Sequence, residues 1–265
     1  MQDANIFIFS QNVPKIYPKN KEYKLVSLEK IDEPCEIDKI TLCDCNDEIL
    51  KMEHAYSEGA RLHALWKTMD MPKYVGTAHY RRYFEFFDNL PNFDDVFSEH
   101  DAIIQQFDVG WKSIRENYAG CHNIKDLDMC ISIINEKYPE FSSAAEDVLN
   151  GVYLVPCNIF VLTRDMFNRW CEFVFGVLDE YNNRMGFKTD LDVCNHVVNH
   201  MDEYVLKGGL PNSATYYQTR IQAFLMERIS TIFFKKASKN PYLCDVVLTE
   251  SHFEFEKTYF KQYDK

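Results

Sequence analysis

The chain has 265 residues, with 29 Lys and Arg against 41 Asp and Glu, a formal net charge of −12. Hydrophobic residues make up 46% and aromatics 15%, which excludes a disordered chain. The acidic balance argues against a general nucleic-acid binder, which needs Lys and Arg in excess to neutralise phosphates. No apolar run approaches the roughly 18 residues of a membrane span.

The first residues, Met1 to Asn5, lack the basic start and apolar core of a signal peptide, so a cytoplasmic location is expected. Nine cysteines, an odd number scattered through the chain, suit reduced thiols rather than a disulfide framework. The tail from Phe253 to Phe260 mixes both charge signs with aromatics and reads as a docked C-terminus.

Short apolar strands alternate with helical patterns. Ile6 to Phe9, Tyr23 to Leu28 and Ile40 to Cys43 read as strands. A helix follows from about Glu53 to Met69, with Ala55, Leu62, Leu65 and Met69 near the 3.6 period and Pro72 just beyond it. Tyr74 to Ala78 reads as a buried strand ending at His79, and Phe84 to Ser98 as a loop or short helix. Ala102 to Ile104 is a strand, and Ile124, Leu127, Ile131 and Ile134 mark a helix. Val152 to Leu162 reads as one long strand bent at Pro156. Thr163 caps a helix reaching about Tyr181, and a last helix runs from about Ala214 to Phe234. The stretch from Lys207 to Asn212 is the clearest loop. This alternation predicts an α/β layered domain with a largely parallel sheet. The chain reads as one domain over 1–265, with about 235–265 as a C-terminal extension packed on it.

The most unusual segment is His79-Tyr80-Arg81-Arg82-Tyr83-Phe84, directly after a buried strand. Ligands of open α/β sheets bind beyond the carboxyl ends of strands. A His and two Arg there suit a phosphate or diphosphate, although two surface Arg paired with the abundant acids would look the same. His122 with Asp126 and Asp128 offers candidates for a general base, while acids near a helix start also favour its dipole. His196 and His200, at i and i+4, invite a zinc reading, but Val197 stands where the metalloprotease pattern needs Glu. Cys43 and Cys45 lack a second pair at zinc-ribbon spacing. There is no Walker loop, no Gly-x-Gly-x-x-Gly and no Gly-x-Ser-x-Gly elbow.

Several segments, in order, resemble the bacterial capsular and lipopolysaccharide glycosyltransferase family first known as a domain of unknown function. Tyr74 to Phe84 is similar to that family's strand followed by His-Tyr-Arg-Arg-Tyr-Phe. Asp44, Asp47 and Glu58 fall at its Asp-rich turn and helix start, and Trp66-Lys67 at that helix's close. His122 with Asp126-Leu127-Asp128, Glu136 to Glu140, Asn158 to Val161, Gln218 to Arg220 and Glu227 to Ile229 continue the likeness over about residues 4–250. Two segments depart from it: Ser10-Gln11 ends the first strand where the family has a Thr-His-Lys-like turn, and Cys43 to Asp47 lacks its Gly.

The resemblance implies a GT-A-like αβα sandwich with a mostly parallel mixed sheet, acting on a nucleotide sugar. His79, Tyr80, Arg81 and Arg82 occupy the place where most such enzymes keep a metal-binding Asp-x-Asp. The expectation is therefore a site without a required cofactor, the alternative being Mn or Mg held by Asp126 and Asp128. The donor, a UDP-sugar foremost, would meet Arg81 and Arg82, with His79 assisting, at the diphosphate, Asp44 and Asp47 at the nucleoside, and Asn158 and Gln218 at sugar hydroxyls, with Tyr80 and Arg220 as further donor-binding residues. Asp126, Asp128, His122 and Glu227 are the candidate bases, Glu227 being equally an ion-pair partner of Arg220 or Arg228. The acceptor would be a capsular or lipopolysaccharide glycan or its lipid-linked precursor. The expected setting is the cytoplasm, with room for peripheral association at the inner face of the inner membrane. A non-catalytic nucleotide- or glycan-binding protein is the rival class.

Overall fold

A computed structural model describes residues 2–110, 112–204 and 211–249, with side chains of 211–214 left aside. The elements, in chain order, begin with three strands, β1 (Ala4–Phe9), β2 (Tyr23–Ser27) and β3 (Asp38–Thr41). Helices α1 (Glu53–Tyr56) and α2 (Glu58–Thr68) follow, then β4 (Tyr74–His79), β5 (Arg82–Phe84), α3 (Phe93–Glu99), β6 (Ile103–Ile104) and β7 (Phe107–Asp108). Next come α4 (Ile114–Cys121), α5 (Ile124–Lys137), α6 (Ser142–Asn150), β8 (Tyr153–Leu154), β9 (Phe160–Thr163), α7 (Arg164–Met185) and α8 (Asp190–Asn199). The chain continues through α9 (Pro211–Gln218), α10 (Ile221–Ala237), β10 (Tyr242–Leu243) and β11 (Val246–Leu248).

One central sheet runs β10-β6-β9-β4-β1-β2-β3. Strands β4, β1, β2 and β3 are mutually parallel, and β10 is parallel to β6. Strand β9 runs antiparallel to both β4 and β6. This is the expected α/β architecture: a mixed, mostly parallel sheet flanked by helices.

Strand β1 reads as a continuous apolar run because both its faces are covered. Phe7 and Phe9 belong to the apolar cluster that also holds residues of α2, α5, α7 and α10 on one face, and Ile6 and Ile8 to the one that holds Tyr83, Phe84 and Phe93 on the other. Burying such side chains contributes about 1.5–3 kcal/mol each. Gly76 is forced by its neighbours: a Cβ there would lie 2.9 Å from Ile6 Cγ1 and 3.1 Å from Val161 Cγ2.

Several elements differ from the sequence expectation. The helix expected over Glu53 to Met69 is broken at Ser57, which adopts φ 55° and ψ −129°. The expected strand from Val152 to Leu162 is three pieces. Tyr153–Leu154 pairs with Phe107–Asp108 in a ribbon of its own, Pro156–Asn158 is a 3₁₀ turn, and only Phe160–Thr163 joins the central sheet. The last helix is two, parted at Thr219 and Arg220. In the expected loop, Pro211 and Asn212 open α9 and 207–210 lie outside the described residues, as does the tail from Phe253 to Phe260. Within the described part of the C-terminal stretch, β10 extends the sheet, and β11 pairs antiparallel with β5 in the register Val247 to Tyr83. Thr249 N also donates to the carbonyl of Arg81 at 3.0 Å. Together these contacts pin the backbone of the His79–Arg82 corner.

Candidate active site

A cleft of about 320 Å³ opens where β1 and β4 end. Its wall is built from Ser10 to Asn12 after β1, Thr77 to His79 of β4 with Tyr80 just beyond, Ser57 before α2 with Glu58, Arg61 and Leu62 on it, and the turn Cys157-Asn158. Larger hollows of about 400 and 870 Å³ lie away from the carboxyl ends of the parallel strands, and one of about 570 Å³, lined by Gln11, Asn12 and residues 28–33, adjoins the cleft beyond β1 and β2.

Backbone strain gathers at this cleft. Four described non-glycine residues have positive φ, and three of them, Ser57, Cys157 and Asn158, line it. Such conformations cost on the order of 1–3 kcal/mol each and persist only where surrounding contacts enforce them. Here the contacts are visible. Arg220 Nη2 donates to Ser57 Oγ at 2.8 Å, and Cys157 N donates to Glu227 Oε1 at 2.8 Å. Trp170 Nε1 donates to Ser230 Oγ at 3.2 Å, and Ser230 Oγ donates to Asn158 Oδ1 at 2.9 Å. The Asn158 amide then faces Glu58 Oε1 at 3.4 Å, and its carbonyl accepts the Thr77 hydroxyl. A rigid core residue, Trp170, thus orients two side chains of the cleft through one hydroxyl.

Positive charge collects beside the cleft. Burial lowers the pKa of His79 well below the ordinary value, and Arg82, Arg81 and Arg220 reinforce the effect. The imidazole is therefore neutral at pH 7. Its Nδ1 accepts from Arg81 N at 3.3 Å, with Arg82 Nη1 at 3.5 Å, which leaves Nε2 to carry the proton. Arg81 lies over the Tyr80 ring at 4.9 Å. Three guanidinium groups around one neutral imidazole suit an oxyanion and do not suit a divalent cation.

The family can now be stated. A family model described as a domain of unknown function, DUF4422, matches residues 6–208. The chain belongs to the DUF4422 family. No curated protein matches it. Its fold is similar to that of the apo structure of WbbM, a bifunctional glycosyltransferase, with a TM-score of 0.70 at 17% identity. The match covers 94% of this chain and 46% of WbbM, so the chain spans about half the length of that protein. At this identity the likeness establishes the fold.

Within this DUF4422 fold, the candidate residues separate into two groups. His79, Tyr80, Arg81, Arg82, Asn158, Arg220 and Glu227 come together in or directly behind the cleft. Glu227 sits behind the Cys157 turn, ion-paired with Arg228 at 2.7 Å, its pKa raised chiefly by burial. The other six are placed elsewhere. Asp47 caps the 3₁₀ turn Glu48–Met52 and holds His63 Nδ1 at 2.6 Å, and Asp44 is exposed. Gln218 is buried, donating to the Cys121 carbonyl at 2.7 Å and facing His122 Nδ1 at 3.1 Å. His122 is stacked on Phe224 at 4.0 Å, and burial, followed by Arg228, pushes its pKa down to about 3.

Asp126 and Asp128 do not meet. On a helix, positions two apart face different sides. Asp126 lies in the core, accepting from Tyr181 at 2.8 Å and Tyr204 at 3.1 Å. Asp128 pairs with Arg115 at 2.6 Å on the surface. They cannot share one metal ion in this arrangement, which corrects the Asp-x-Asp alternative. His196 and His200 stack at 4.4 Å beside Phe187 and Tyr204. All nine cysteines are free.

Sequence reasoning missed Ser57, Arg61, Thr77 and Cys157, and placed Glu58 only through the family likeness. Positive φ at a Ser or Cys leaves no compositional trace, and Arg61 looks like any charged position of an amphipathic helix.

Proposed function

We propose that the protein transfers a sugar from a nucleotide-sugar donor, a UDP-sugar foremost, to a hydroxyl of a surface-glycan acceptor. The observation that carries this is the convergence of Arg81, Arg82 and Arg220 on His79 at the carboxyl end of β4. The fold shared with a glycosyltransferase supports it.

In this reading the donor diphosphate lies against Arg82, Arg220 and the Nε2–H of His79. As the bond from the anomeric carbon to the phosphate oxygen breaks, negative charge grows on the leaving nucleoside diphosphate, and these preorganised donors stabilise it. Glu58 is the carboxylate lining the cleft, and it takes the proton of the acceptor hydroxyl as that oxygen bonds to the anomeric carbon. Asn158 holds Glu58 and a sugar hydroxyl. Glu227 acts through Cys157, fixing the turn rather than touching substrate. No metal is needed for this charge arrangement. Capsular or lipopolysaccharide glycan, in the cytoplasm or at the inner membrane face, is the acceptor setting we favour. No helix among the described residues is long and apolar enough to cross a membrane.

The test is calorimetric titration with UDP, GDP, CDP and CMP, each with Mn²⁺ and again with EDTA, followed by transfer assays with the nucleotide that binds. Binding that survives EDTA and is lost in Arg82→Gln supports the reading. Binding abolished by EDTA overturns the metal-free site. Tight donor binding with neither transfer nor donor hydrolysis makes the protein a binding module.

A further inference from the structure

The cleft contains one cation that the reading above does not use. Arg61 lies on α2, one turn in from its start, and forms part of the cleft wall between Glu58 and the end of β4. It is 8% exposed. Nη2 pairs with Glu53 Oε1 at 2.6 Å. Its other two guanidinium nitrogens, Nε and Nη1, are buried and meet no acceptor among the described residues.

A buried guanidinium with unmet donors is unfavourable, because each donor has left water without a replacement. One carboxylate offsets the charge but engages one edge of the fork. The surroundings favour a negative guest. Ser57, the N-cap of α2, makes no side-chain cap to that helix, and its hydroxyl instead accepts from Arg220. The positive end of the α2 dipole therefore opens on the same wall, within one helical turn of Arg61. Glu58 opposes an anion there, while Arg220 offsets it.

We infer that Arg61 forms a second oxyanion subsite of the cleft, separate from the His79 corner, which receives a phosphoryl or carboxylate oxygen of the donor on its free N–H edge. The inference rests on the donor-site reading for the identity of its guest. Two sources share this chemistry: the diphosphate itself, or a carboxylate carried by the transferred sugar.

The experiment is calorimetric titration of wild type, Arg61→Lys and Glu53→Gln with inorganic pyrophosphate, UDP, UDP-glucose and UDP-glucuronate. Lys keeps the charge and the Glu53 pair but removes the fork. The expected result is a weakening of roughly tenfold or more, the scale of one lost charge-assisted hydrogen bond. Weakening toward pyrophosphate and every nucleotide assigns the guest to the diphosphate. Weakening toward UDP-glucuronate alone assigns it to a sugar carboxylate. Equal affinities for wild type and a folded Arg61→Lys overturn the inference even where UDP binds and the donor reading stands. Pyrophosphate binding that depends on Arg61, without nucleotide binding, keeps the subsite and overturns the donor reading. A wild type that binds none of the probes overturns both. Should Arg61→Lys fail to fold, Glu53→Gln decides. Removing the counter-charge tightens anion binding several-fold if Arg61 is the receptor, and unchanged affinity refutes it.

Discussion

Asp126 is the residue whose replacement most sharply separates a structural role from a catalytic one. Its carboxyl is 4% exposed and accepts two tyrosine hydroxyls, from Tyr181 and Tyr204. Burial raises its pKa from 3.8 to about 6, against the lowering effect of those two bonds, and Glu203 adds to the rise. An acid whose folded pKa is raised binds more protons folded than unfolded between the two values. Its contribution to stability is therefore most favourable below pH 3.8 and declines as pH rises to about 6. At about 1.4 kcal/mol per pH unit, the decline amounts to about 3 kcal/mol.

Asp126→Asn removes this titration. Oδ1 still accepts from Tyr181, while the amide that replaces Oδ2 must donate where the carboxylate accepted from Tyr204, a change of about 1 kcal/mol. Urea unfolding of both proteins at pH 4, 5, 6 and 7.5 gives the comparison by difference, so that other groups titrating in the range cancel. Wild type should lose about 2 kcal/mol relative to Asp126→Asn between pH 4 and 7.5, since part of the decline already lies below pH 4, and the variant should retain sugar transfer. Parallel pH curves would refute the buried-carboxylate reading. A variant as stable as wild type but without turnover would show that Asp126 reaches the substrate.

His122 titrates in the opposite sense. Its folded pKa lies near 3, so stability is full above the unfolded value of 6.5 and falls on acidification. His122→Gln should be spared about 2 kcal/mol of the loss between pH 7 and 5, read from the same unfolding curves. Glu58→Gln should lower transfer by roughly 10² or more with little change in nucleotide binding, measured as turnover beside calorimetry. Gly76→Ala should destabilise by about 1–3 kcal/mol through its clash with Ile6 and Val161, seen as a lower urea midpoint. Cys157→Gly should fold at least as well as wild type and keep transfer, since Gly takes φ 54° without strain and the thiol, its pKa pushed up to about 12, supplies no thiolate.

The inner strands β1, β2, β4 and β6 were legible because each is a short apolar run with Gly, Pro or polar residues around it, whereas β3 lies two residues before the expected Ile40 to Cys43, and β5, β10 and β11 were not expected at all. Tyr74 to His79 and Ile6 to Phe9 need no tertiary information to be found. The His79–Arg82 corner was legible for the same reason, since its charges follow directly on a buried strand. What failed depended on contacts distant in sequence. Val152 to Leu162 is uniformly apolar, and nothing local separates a ribbon at Tyr153 from a sheet strand at Phe160. Glu53 to Met69 keeps helical spacing across Ser57, while the break there is held in part by Arg220, 163 residues away. Asp126, Asp128 and His122 carried the right chemistry for a base, but burial beneath Tyr181 and Tyr204, pairing with Arg115 and stacking on Phe224 belong to the fold.

The placement of strain also bears on how the cleft works. Ser57, Cys157 and Asn158 come from two segments that meet only at the cleft. Each is held by a group from α10 or the turn beside it: Arg220 for Ser57, Glu227 for Cys157, Ser230 for Asn158. Helix α10 is buried along most of its length, so these three anchors move as one body. For the proposed transfer, a rigid helix that fixes both sides of the cleft would supply preorganisation, because the donors and Glu58 need not reorient when charge develops. On the same helix Glu227 and Arg228 pair at 2.7 Å in a largely buried position. Removing either would leave its partner charged and unsatisfied, at a cost of about 3–5 kcal/mol. The same step would release the Cys157 turn. Changes on α10 should therefore lower turnover without their side chains meeting the substrate.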